Sequence, residues 1–146
     1  MFSRLSRKLM LLSRYDSRVS DFRPRMKEVR DGLLRLHKSL LDSERAAYER
    51  DVARITSTGQ YLDLVLNDPW FQWLRQLSEF IVLIDETMAR KEPPATPEEA
   101  AELIAKTRTL LVPSEEGTGF ARRYFEVLQR DANAVLAHRD MLKVLD

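Results

Sequence analysis

A chain of 146 residues, 44% hydrophobic and 32% charged, is long enough to bury about 70% of its unfolded surface and too apolar to stay disordered. A net charge of +1 and a complete lack of cysteine exclude a strongly basic nucleic-acid-binding domain, disulfides and thiolate metal sites. No apolar run reaches the ~18 residues that span a bilayer, and only four glycines among many Leu, Ala, Glu, Arg and Lys favour helix over sheet.

The charge is uneven. Residues 1–30 hold nine Lys or Arg against three acids, a net of +6, so the other 116 residues carry −5. Residues 1–22 read as a basic amphipathic extension ahead of a single domain over 23–146. Phe2, Leu5, Leu9 and Leu12 share one helix face, and Arg4, Arg7, Lys8, Arg14 and Arg18 lie largely on the other. Such a segment suits weak peripheral contact with an anionic membrane surface, or targeting, although it lacks the apolar core and cleavage site of a secretory signal. Two plainer readings stand beside these. One is a poorly ordered terminal extension; the other is a start codon set too early, with Met10 or Met26 as the true start.

Pro24 suits a first helical turn, and the apolar pattern from there predicts a long helix to about Arg54. Thr56-Ser-Thr-Gly59 breaks it, and a short helix is expected from Gln60 to Leu66. Asp68 and Pro69 then make an N-cap and a first helical residue. The helix predicted from Pro69 to about Arg90 turns Trp70, Trp73, Leu74, Leu77, Phe80, Ile81, Ile84 and Met88 inward. Phe71 and Val82 widen that face, so this element is expected to be central. After the Glu92-Pro-Pro-Ala95 linker, Thr96-Pro-Glu-Glu99 is a cap, a proline and an acidic first turn. Its helix runs to about Leu111. A loop over 113–119 precedes a helix from Phe120 to Arg130, and Asp131-Ala-Asn133 allows a restart before a last helix ending near Val144. No strand-like alternation, repeat or low-complexity tract occurs. The fold class is all-α, a bundle of four main helices with short additional helices.

Four residues of the first long helix, Arg30, His37, Glu44 and Asp51, recur at intervals of seven. A step of seven drifts only ~20° around a helix, and this side is shared with Met26, Leu33, Leu40, Leu41 and Ile55. Tyr48 belongs to the same stripe. His138 is expected on the inward face of the last helix with Val135, Leu142 and Leu145, and Ser78 and Asp85 on the flank of the aromatic helix could supply partners. Buried Glu or Arg must be paired, ligated or wet.

One reading makes Arg30, His37, Glu44, Tyr48, Asp85 and His138 an interior polar or ligand site. Imidazole and carboxylate would suit a transition metal. Against a metal, neither histidine has Glu three residues before it, as di-metal bundles require. The other reading is a structural network, and no cofactor is expected. Catalytic motifs are missing: no nucleophile elbow surrounds any serine, and His37 and Glu44 sit roughly 10 Å apart along their helix. The loop Glu116-Gly-Thr-Gly119 fails as a phosphate loop, lacking Gly-Lys-Ser/Thr and a preceding strand, and reads as a turn capping the next helix. In Asp68-Pro-Trp-Phe-Gln-Trp-Leu74 the tryptophans read as core. Phe71, off the main face, is the candidate interface residue. Arg75 is the only nearby cation, so base stacking is disfavoured.

The strings Leu36-His-Lys-Ser-Leu-Leu-Asp-Ser-Glu-Arg45 and Asp68-Pro-Trp-Phe-Gln-Trp-Leu74 resemble an uncharacterised family of small all-helical bacterial proteins. The likeness extends from Met26 to His138 and leaves the arm outside. It implies a bacterial, cytoplasmic protein and carries over no site residue. Without a catalytic motif, the residues point to a non-enzymatic interaction or structural protein, acting as a homo-oligomer or with a protein partner. A small-ligand or metal-binding bundle is the alternative.

Overall fold

The computed structural model describes residues 21–146, so the expectations for the basic arm fall outside the described residues up to Ser20. The described chain is all-α. Its elements are α1 (Phe22–Asp51), α2 (Thr58–Asn67), a 3-10 turn (Pro69–Leu74), α3 (Arg75–Ala89), α4 (Pro97–Leu110), α5 (Gly119–Arg130) and α6 (Ala132–Leu145). None of these helices is long and apolar enough to cross a membrane.

The ends follow local chemistry. Ser57 caps α2 by accepting from the Gln60 amide, and Asp68 caps the 3-10 turn by accepting from the Trp70 amide at 2.9 Å. Thr96 and Glu99 form a reciprocal capping box at the start of α4. Asp131 accepts from the amides of Asn133 and Ala134, which turns the expected restart into a distinct α6. Among the described residues, Gly119 alone has a left-handed backbone, at φ 60°, the conformation that favours glycine at this loop-to-helix corner. The residue before it, Thr118, occupies the N-cap position of α5 but makes no side-chain cap bond.

The central element is α1, not the aromatic helix. Its arc of Met26, Val29, Leu33, Leu36 and Leu40 is buried, with α3, α4 and α6 packed around it. Two antiparallel registers are visible. Arg23 donates to the Met88 carbonyl at 3.0 Å and Arg30 meets Asp85, which sets α3 against α1. Arg25 donates to the Leu145 carbonyl at 3.1 Å and Glu44 meets Arg130, which sets α6 and the end of α5 against α1. A second, smaller core joins Tyr48, Ile55 and Phe71 to the inner side of α2.

Four expectations need correction. The segment from Pro69 is not one α-helix, because its first six residues wind as a 3-10 turn. That tighter winding eclipses side chains three apart, so Phe71 falls in line with Leu74 and both are buried. Phe71 is only 1% exposed and therefore offers no interface. Val82 does not widen the buried face but stands 51% exposed. In α6 the buried stripe is Ala134, Met141 and Leu145, while Val135 and Leu142 face outward.

Where α1 and α6 meet, a Cβ at Gly32 would lie 2.7 Å from Met141 Sδ. Alanine there is tolerable because a thioether can swing aside and the helix gains propensity. Gly32→Leu is expected to lower unfolding free energy by about 1–3 kcal/mol through overpacking, with Gly32→Ala close to neutral, as read by urea denaturation.

Candidate functional site

The proposed interior site separates into pairs, each satisfied by a different helix. Arg30 donates to Asp85 through Nε at 2.6 Å and Nη2 at 3.3 Å, a forked contact between α1 and α3. Both side chains are well exposed, so the pair sits at the rim of the α1–α3 seam rather than inside. Among the described residues, Glu44 is the one buried carboxylate. Its side chain is 8% exposed and bonds Arg130, the last residue of α5. The Glu44 carbonyl also accepts from Trp70 Nε1 at 3.2 Å. A single turn of α1 is thereby tied both to the 3-10 turn and to the α5–α6 corner.

Tyr48 serves the small aromatic core. Its ring stands edge-on to Trp70 at 5.7 Å and tilts over Phe71 at 5.9 Å. His138 turns to α5, where its Nδ1 bonds the hydroxyl of buried Tyr124. A neutral imidazole protonated on Nε2 accepts a hydrogen bond from the phenolic O–H there, and burial pushes the Tyr124 hydroxyl well above its ordinary pKa. Burial also holds the imidazoles of His37 and His138 below the usual histidine value. His37 is half-buried on α1. Asp51, last in the ladder, lies exposed beside Arg50 at 3.0 Å.

Among the described residues, no three His, Asp or Glu stand close enough together to hold a metal ion. The side chains that complete the network and escaped the sequence reading are Arg130 and Tyr124. Tyr124 was legible in part, since Phe120, Tyr124 and Val127 repeat at i, i+4 and i+7, and a buried phenol needs a hydrogen-bond partner. Nothing local marks Arg130.

A concavity lies elsewhere, away from these pairs. A groove of about 550 Å³ opens between α3 and α4. On α3 it is lined by Gln76, Glu79, Phe80 and Leu83, and on α4 by Glu102, Ala105, Lys106 and Thr109. Each set is spaced i, i+3, i+4, i+7, one continuous face of a helix. Phe80, Leu83, Ala105 and Leu110 give the trough an apolar floor, and Glu79, Glu102 and Lys106 give it a charged rim. Lys106 is held by Glu102 at 3.2 Å.

Two outcomes follow from the pairs. Arg130→Ala strands the Glu44 carboxylate and is expected to cost about 1–3 kcal/mol, whereas Glu44→Leu together with Arg130→Met should recover most of that loss; chemical denaturation of the three proteins checks it. The second concerns pH. Both imidazoles titrate lower in the folded chain than in the unfolded one, where histidine titrates near about 6.5. The unfolded chain then binds more protons as pH falls through that value, so the histidine contribution is complete above it and is lost below it. Melting temperature is expected to drop between about pH 7 and about pH 5.5, and the double variant His37→Gln/His138→Gln should flatten that drop.

No family model matches this chain, and neither a curated protein nor a solved structure does.

Proposed function

We propose that the protein is a non-enzymatic interaction module that receives an amphipathic helix of a protein partner, or of a second copy, in the α3–α4 trough. The observation that carries this reading is the pair of facing i, i+3, i+4, i+7 stripes with an apolar floor and a charged rim. Helix-in-groove recognition uses that arrangement: apolar anchors enter the floor, and polar rims select partner and orientation. The interior polar residues support it indirectly. Arg30, Glu44 and His138 are each engaged by a separate side chain, which favours a structural network over a converging ligand or metal site. In the same reading the chain is a bundle of four main helical segments, with α2 and the 3-10 turn as additions. It belongs with the bacterial, cytoplasmic family that its sequence strings resemble.

Leu83 is the residue to change, because it lines the trough and is already 42% exposed. Leu83→Asp puts a carboxylate on the apolar floor with little effect on the core. Loss of an apolar anchor should weaken association by about 2 kcal/mol, roughly 30-fold, with the melting temperature unchanged. Sedimentation velocity over a concentration series, with identification of co-purifying proteins, reads the effect. A chain that stays monomeric at every concentration, with the same co-purifying proteins in both forms, would overturn the proposal.

A further inference from the structure

The outer side of α6 carries chemistry complementary to the trough. Besides its buried stripe of Ala134, Met141 and Leu145, this helix turns Val135, Leu136 and Leu142 outward at 43%, 46% and 43% exposure. Together with exposed Arg139 and Lys143 they lie within one arc of about 120°. Exposed aliphatics scattered singly are ordinary, but three on one side of a helix form an apolar patch.

Shape agrees. The trough is concave, so a second trough cannot fill it, whereas a ridge can. Val135 and Leu142 are seven residues apart, about 10.5 Å along the helix, the same rise that separates Gln76 from Leu83 on α3 and Glu102 from Thr109 on α4. α6 is already helical before it docks, so no ordering cost opposes the contact.

Charge agrees as well. The rim of the trough holds Glu79 and Glu102 against Lys106. Exposed Glu86 and Glu98 continue the two rows toward the α3–α4 connection, where Arg90 pairs with Glu99. The α6 arc presents Arg139 and Lys143. Arg139 is held by its neighbour Asp140 at 3.6 Å, with both side chains 60% exposed, an attachment worth little in water. Both cations lie in the C-terminal half of α6, so the acidic end of the trough sets an orientation with Leu142 near Leu83 and Val135 toward Gln76.

We propose that the outer arc of α6 from a second copy of this chain occupies the α3–α4 trough, its C-terminal half toward the α3–α4 connection. This names the occupant of the helix seat and rests on that reading. Ridge and trough are different surfaces, so the contact is head-to-tail. Each docked copy presents its own trough to the next, and association runs past the dimer unless a rotation closes a ring. One 14-residue helix in a groove makes a small interface, so association is expected at micromolar rather than nanomolar protein.

Two variants of the full chain, each at an already exposed leucine, give a direct test. Leu83→Asp spoils the trough and leaves the ridge; Leu142→Asp spoils the ridge and leaves the trough. Sedimentation velocity at up to about 1 mM protein is expected to show each variant alone associating roughly 30-fold more weakly than the unaltered chain, with the melting temperature unchanged. An equimolar mixture of the two should associate again and stop at a one-to-one dimer, because one intact ridge meets one intact trough. Self-association that survives Leu142→Asp overturns the proposal. So does a mixture that stays dissociated, the result for a contact that needs both surfaces on each chain, and so does an unaltered chain that is monomeric throughout. If any of these occurs while Leu83→Asp still strips a protein partner from the chain, the α6 assignment fails and the helix seat stands; if Leu83→Asp changes nothing, the seat fails too.

Discussion

The apolar arc of α1 runs the length of a 30-residue helix, roughly 45 Å at 1.5 Å per residue, and has to be covered from end to end. No other helix in the described chain is more than about half as long. Coverage therefore comes from several short elements placed in relay. α3 and α6 run antiparallel to α1 on two sides, α4 leans in between, and the 3-10 turn with α2 closes the far end over Tyr48 and Ile55.

The relay explains the polar residues set into the stripe. A shared apolar face is permissive about register, because sliding by a heptad exchanges one leucine for another. Arg30 with Asp85 pins α3, and Glu44 with Arg130 pins the α5–α6 corner. Two arginines, Arg25 and Arg108, converge on the Leu145 carbonyl and hold the end of α6 against α1 and α4. A slip of α6 would leave the Glu44 charge buried and unpaired, at the same cost of about 1–3 kcal/mol. Position along α1 is thus set by charge where hydrophobic contact leaves it open.

The trough has the same origin. α3 and α4 each turn their most apolar residues, Leu77, Ile81 and Ile84 on one and Ala100, Leu103 and Ile104 on the other, toward the common core. Faces committed to α1 cannot also close on each other. What remains between the two helices is a secondary stripe of mixed polarity, Phe80 and Leu83 facing Ala105, with Glu79, Glu102 and Lys106 at its edges.

Helix positions, their caps and the identity of most core residues were legible in the sequence, because capping, proline placement and 3.6-residue periodicity act over a few neighbouring residues. The Thr96–Glu99 box and the Asp131 restart are of this kind. The buried stripe of α1 was legible for the same reason, as was the oddity of a carboxylate within it. Which helix would be central, that Phe71 would be buried and Val82 exposed, and that Glu44 would find Arg130 were decided only by tertiary structure. Phe71 depends on a 3-10 winding and on α2 lying over it; Glu44 depends on a guanidinium 86 residues away. Local propensity carries no information about contacts at that separation, and one helix face cannot show which of several neighbours will cover it.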